Sequence, residues 1–199
     1  MSIVNLISDR LNSSIKNEGS ASFVLSGGSS PISIYEELSN IDISWSKVFL
    51  TLVDDRLVDP DHRDSNQKLL HNHFIKNKAK NINFFPLTEN FLSNTKFKKP
   101  FDVTLLGMGE DGHIASLFPG TKSLENNDSL YVANEVNIKT KWRVTSTFHL
   151  LGKIEKIYVL ATGESKKNIL KSVNDDNDLP INLLKNYSKN IEIITDQII

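Results

Sequence analysis

Twice in this chain an apolar run of buried-strand type gives way to a glycine-rich loop and then to polar residues. The first instance is Phe23-Val24-Leu25 followed by Ser26-Gly27-Gly28-Ser29-Ser30-Pro31. The second is Phe101 to Leu106 followed by Gly107-Met108-Gly109-Glu110-Asp111-Gly112-His113. A strand with one wet face alternates apolar and polar residues, whereas an unbroken apolar run reads as a strand covered on both faces. Val48 to Val53 and Ile157 to Ala161 are further runs of that kind, ending at Asp54-Asp55-Arg56 and Gly163. Shorter strand candidates are Ile82 to Leu87, Val144 to Phe148 and Ile191 to Ile194.

Helical patterns fall between these runs. Ile3, Leu6, Ile7, Leu11 and Ile15 recur at helical spacing and stop near Gly19. Pro31, placed where a first helical turn tolerates it, precedes Ile34, Tyr35 and Leu38. Asn66 to Ile75 and Ser165 to Val173 complete the set, and the Asn- and Lys-rich stretches around 76–83 and 174–190 read as solvated loops. Strands alternating with helices predict an α/β fold with a mostly parallel sheet and helices on both faces. At 199 residues, a single domain spanning 1–199 is expected.

In such sheets ligands bind beyond the carboxyl ends of the strands. The loops at Gly27-Gly28, Asp54-Asp55-Arg56, Gly109 to His113 and Gly163 to Lys166 are therefore expected to converge on one cleft. Gly27, Gly28 and Ser29 turn the backbone tightly and leave N–H groups free for an anion, although Gly-Gly also fits a plain strand-to-helix turn. Neither the dinucleotide pattern nor the nucleoside-triphosphate loop is present, so a small phosphate ester fits better than a nucleotide. Arg56, Arg143 and Lys166 are candidate phosphate cations, each of which taken singly also fits a surface charge. Asp54 is a candidate substrate-side carboxylate at a strand end. His113 is the candidate general base, with Asp111 two residues earlier to orient it.

Other chemistry has less support. There is no cysteine, which excludes disulfides, thiolate catalysis and Cys-ligated metal. The aspartates at 54, 55, 59, 61 and 64 lack the spacing and closing glutamate of a calcium loop, so no metal is expected. His71 and His73, two apart on a helix, face away from one another and read as surface residues. Basic residues number 23 against 24 acidic, which removes the bulk charge needed to bind nucleic acid or an anionic membrane. No run of about 18 apolar residues occurs and the N-terminus lacks a signal-peptide pattern, so a cytoplasmic location is expected.

Taken together, the segments resemble the 6-phosphogluconolactonase family, which belongs with glucosamine-6-phosphate isomerase (deaminase) in a larger sugar-phosphate superfamily. The resemblance rests on Leu25 to Pro31, Asp54-Asp55-Arg56 with Asp64-Ser65-Asn66, Gly107 to Gly120, Arg143-Val144-Thr145, Gly163 to Lys166 and Leu179-Pro180. It implies a Rossmann-like domain without a cofactor, His113 activating water against a lactone carbonyl, and phosphate contacts from the glycine loop, Arg56, Arg143 and Lys166. The partner implied is a small sugar-phosphate lactone; the charge balance gives no reason to expect nucleic acid or membrane, and a monomer is compatible with the sequence, which does not fix the oligomeric state.

The sequence also departs from the family pattern. Asp55 stands where the family usually has glutamate, Ser30 where threonine is more usual, and Ile114 is the deaminase-like choice after the histidine. Deaminases continue with Phe-Asn-Glu-Pro and supply a glutamate to the histidine, whereas here Ser116-Leu117-Phe118-Pro119 follows, which favours the lactonase. A deaminase and a non-catalytic sugar-phosphate sensor remain the alternative readings.

Overall fold

The structure is a computed structural model that describes residues 1–87, 101–125, 129–173 and 178–198. Helix α1 (Ile3–Glu18) is capped by the Ser2 hydroxyl and ended by Gly19 at φ 83°, a left-handed position that glycine takes without strain. Strand β1 (Ala21–Leu25), helix α2 (Ile32–Leu38), strands β2 (Val48–Leu52) and β3 (Asp54–Arg56), helix α3 (Asn66–His73) and strand β4 (Asn83–Phe84) follow. The second half carries β5 (Phe101–Gly107), β6 (Tyr131–Glu135), β7 (Trp142–Ser146), α4 (Phe148–Leu151), β8 (Ile154–Leu160), α5 (Lys167–Ser172), α6 (Pro180–Leu184) and β9 (Ile191–Ile194).

Six strands form one sheet in the order β4-β2-β1-β5-β8-β9, with every neighbouring pair parallel. The expected α/β fold, mostly parallel with helices on both faces, is what the chain adopts. All five residues of β1 are buried, and alternate residues serve opposite layers. Phe23 and Leu25 pack with Val4, Ile7 and Leu11 of α1 and with Tyr35 and Leu38 of α2. Val24 joins the other layer with Ile157, Val159, Ile169 and Leu184. From β1 the chain winds outward through β2 to β4, then returns to lay β5 on the other side of β1. The loops leaving β1 and β5 therefore diverge, and a crevice opens between them.

A second sheet, ordered β3-β7-β6 and antiparallel, was not expected. Val53 is the junction: its N–H bonds Leu25 in the parallel sheet, while its carbonyl accepts Ser146 N–H at 2.7 Å next to the second. The polar stop expected after β2 is thus a change of sheet.

Several boundaries also differ from expectation. The strand expected at Val144 to Phe148 begins at Trp142 and ends at Ser146, because Thr147 caps α4 by accepting Leu150 N–H. The 82–87 candidate keeps only two strand residues, and the 165–173 helix opens with a 3-10 turn over Glu164–Lys166. The stretch expected as a solvated loop over 174–190 contains α6, whose Ile181 and Leu184 are fully buried. Among the described residues, no helix is long and apolar enough to cross a membrane.

Candidate active site

A cleft of about 360 Å³ lies beyond the carboxyl ends of β1, β5 and β8 and is walled on one side by the β3–β7 ladder. Gly27, Gly28, Ser29, Asp54, Arg56, His113, Arg143 and Lys166 all line it. Of the site residues read from the sequence only Asp111 stands outside the lining, and it lies directly behind His113. The distant segments expected to converge on one cleft do so.

His113 sits in a loop folded back on itself, with Gly109 N–H donating to His113 O at 2.8 Å and Gly112 at φ 77°. One Asp111 carboxylate oxygen lies 2.6 Å from His113 Nδ1 and also accepts the His113 N–H. With the Nδ1 proton held toward that carboxylate, Nε2 keeps its lone pair for the cleft. Partial burial pushes the Asp111 carboxyl up, but the His113 charge and hydrogen bonds outweigh it and hold the group below the usual carboxylate range. Gly109 is required here, because a Cβ would overlap both the imidazole and the Asp111 carboxylate. Phe118 stacks on the imidazole at 4.0 Å between ring centres. From below, Ile181 N–H bonds Gly112 O and Leu179 packs against Gly112, so α6 braces the loop.

Period-two alternation explains the opposite wall. Asp54 and Arg56 share one face of β3, while Asp55 faces the other way. Asp55 spends its carboxylate on the N–H groups of Arg56, Asn66 and Gln67, capping α3. Burial drives its carboxyl upward despite those bonds. Asp54 is almost fully buried and accepts the Ser116 hydroxyl at 2.5 Å.

Antiparallel register sets Arg56 directly opposite Arg143, a placement of like charges that costs stability unless something offsets it. Arg143 is only 5% exposed; burial, followed by the Arg56 charge, lowers its proton affinity against the pull of Asp54, Asp55 and Asp64. Both guanidinium groups are oriented by uncharged acceptors. Arg56 Nη1 donates to Asp64 O at 2.5 Å, and Arg143 donates to Thr140 O at 2.8 Å and Lys139 O at 3.1 Å. Among the described residues neither arginine forms an ion pair, and Arg56 Nε is buried without an acceptor.

The glycine loop completes the cleft. Tyr35, whose phenol burial holds protonated, donates to Ser26 O at 2.6 Å. Asn66, which the sequence reading did not choose as a site residue, packs against Gly27 so closely that a Cβ there would overlap its side chain. The same amide donates to Asp54 O at 2.9 Å, tying the β1 loop to β3. Among the described residues, the N–H groups of Gly27, Gly28, Ser29 and Ser30 find no protein acceptor. Free N–H groups, Lys166 and two guanidinium groups without a carboxylate partner among the described residues are donors whose chemistry suits an anion with several oxygens.

Ser116, Phe118 and Ile138 also line the cleft without having been chosen. The first two belong to the same motif as His113, but which of its side chains turn inward is a matter of three-dimensional path. His71 and His73 part company as expected, His71 against Phe84 and His73 toward Glu36. The acids Glu18, Asp102 and Glu155 gather at the amino ends of β5 and β8, away from the cleft, with Asp102 held by Ser22.

The model of the family described as glucosamine-6-phosphate isomerases/6-phosphogluconolactonase matches residues 1–193. A 6-phosphogluconolactonase of Helicobacter pylori strain 26695 is 34% identical over 185 residues, covering 85% of this chain and 81% of the relative. The crystal structure of a 6-phosphogluconolactonase from Shewanella baltica superposes with a TM-score of 0.90 at 31% identity, covering 97% of this chain and 91% of that one. That from Thermotoga maritima gives 0.84 at 25% identity, covering 97% and 92%.

Proposed function

Given that this chain belongs to the glucosamine-6-phosphate isomerase/6-phosphogluconolactonase family, we propose that it is a 6-phosphogluconolactonase, hydrolysing 6-phospho-D-glucono-1,5-lactone to 6-phosphogluconate. The observation that carries the reading is the pairing, in one cleft, of an Asp111-oriented imidazole with two arginines that have no carboxylate partner among the described residues. Arg56, Arg143, Lys166 and the N–H groups of the glycine loop hold the phosphate as a handle, which fixes the lactone carbonyl relative to His113. His113 Nε2 takes a proton from water as the water oxygen bonds to the carbonyl carbon. The tetrahedral oxyanion then collapses, the ring C–O bond breaks, and the imidazolium returns its proton to the departing ring oxygen. Asp111 holds the imidazole in the required tautomer throughout. Water is the only co-reactant and no cofactor enters the balance.

Phe118 separates this reading from a deaminase. It stands at the motif position where deaminases carry a glutamate and places an uncharged ring on the imidazole, so among the described residues the carboxylate on His113 is that of Asp111 alone. The deciding measurement is lactone hydrolysis at a pH low enough to slow the spontaneous reaction, run beside ammonia release from glucosamine 6-phosphate. Accelerated lactone hydrolysis supports the proposal. Ammonia release without lactone hydrolysis would establish the deaminase, and binding of 6-phosphogluconate without turnover would establish a sensor.

A further inference from the structure

Arg56 and Arg143 face one another across the ladder, and two such guanidinium groups need something that holds them in position without neutralising them. We infer that Asp64 is a positioning residue for substrate phosphate, latching the β6–β7 hairpin through Thr140 so that both arginines point into the cleft. The inference rests on the reading that these arginines take the phosphate.

Asp64 is not part of the cleft lining. Its backbone carbonyl accepts Arg56 Nη1 at 2.5 Å. Its carboxylate turns the other way, accepting the Thr140 hydroxyl at 2.9 Å and standing 3.4 Å from Lys139 Nζ. Thr140 and Lys139 in turn present the carbonyls that hold Arg143. One residue thus sits behind both cations: directly behind Arg56, and through the hairpin tip behind Arg143. The division of labour matters for charge. A carboxylate bonded to either guanidinium would compete with a phosphate, whereas carbonyl oxygens orient the donors and leave the positive charge intact.

A second observation comes from the backbone. Thr140 adopts φ 58°, which a β-branched residue reaches only when its surroundings impose it. Those surroundings are the Asp64 carboxylate on its hydroxyl and the Arg143 guanidinium on its carbonyl. The thread of contacts Arg56–Asp64–Thr140–Arg143 therefore closes on itself across the β3–β7 ladder, where the two arginines are register partners. Ile138, half exposed on the same hairpin, lines the cleft and is carried with it.

The test measures 6-phosphogluconate binding by calorimetry and steady-state lactone hydrolysis on the full chain. Asp64→Ala removes the carboxylate but keeps the carbonyl; Thr140→Val removes the hydroxyl at constant shape. Each is expected to weaken binding and raise KM about tenfold, the scale of one hydrogen bond to a charged group, with kcat within about twofold. The double variant should be no worse than either single one. Thr140→Ser should restore binding. Thr140→Gly, which takes the positive φ freely, should bind as poorly as Thr140→Val, separating the latch from backbone strain. In an Arg143→Ala background, Thr140→Val should add nothing. If Asp64→Ala and Thr140→Val bind as tightly as the unaltered chain while Arg56→Ala and Arg143→Ala bind weakly, the latch is wrong and the phosphate reading stands. If neither arginine variant weakens binding, the phosphate reading itself is wrong.

Discussion

His113 keeps its place in the loop because Gly109 beside it is small. Gly109 leaves the space into which the imidazole and the Asp111 carboxylate fold together. In Gly109→Ala the imidazole must move, so kcat is expected to fall by about 100-fold in the lactone assay while the chain remains folded by circular dichroism. His113→Ala should lose about 100-fold to 10,000-fold in kcat, the usual worth of a general base, while calorimetry still detects 6-phosphogluconate. Wild-type turnover in that variant would remove His113 from its role. Asp111 adds a pH signature. A carboxyl held below its ordinary value contributes stability that is full above the unfolded value, near pH 4, and disappears as pH falls through the lowered one. The denaturant midpoint of Asp111→Asn should therefore trail the unaltered chain near neutrality, with the gap closing on acidification. His113 and Asp111 were legible in the sequence because a titratable pair in a glycine turn after an apolar run is a local pattern. Asn66 and Ser116 were not, since their roles depend on Gly27 and Asp54, which approach them only in the folded chain.

At the level of elements, the short β3–β7 ladder forms one wall of the cleft. It sets two cations opposite one another and turns Asp55 outward to cap α3. Arg143→Ala should raise KM far more than it lowers kcat, and the KM of the unaltered enzyme should climb with ionic strength. An unchanged KM in that variant would make Arg143 a structural residue. The parallel strands could be read from their unbroken apolar runs. Strand β3 could not, because Asp-Asp-Arg carries no strand propensity and is held in place by pairing with β7. Strand β6 escaped for a related reason: Ala133 and Glu135 are exposed, and the remaining pattern is too short to stand out. Helix α6 is five residues long in a polar stretch, and only its burial against the His113 loop reveals its importance.

For the whole molecule, the two apolar layers share the strands of one sheet, so they are expected to unfold together. Fluorescence and circular dichroism should give coincident transitions, and 6-phosphogluconate at 100 times its Kd should add about 2.7 kcal/mol. For a chain of this size that corresponds to a Tm rise of roughly 5–10 °C. Separate transitions would show that the layers are independent units. The α/β class was readable because alternating strands and helices leave few ways to cover a sheet. The second sheet was hidden because it is assembled from pieces that no local pattern marks.

The crossover from β4 back to β5 divides the chain into an early half that supplies Gly27 and Arg56 and a late half that supplies His113, Arg143 and Lys166. A ribosome that has released only the first half has made the glycine loop and one of the two facing arginines without the histidine. Catalysis therefore reports the closing of the seam between the halves, and two separately expressed fragments, each inert, should regain turnover only on reassociating.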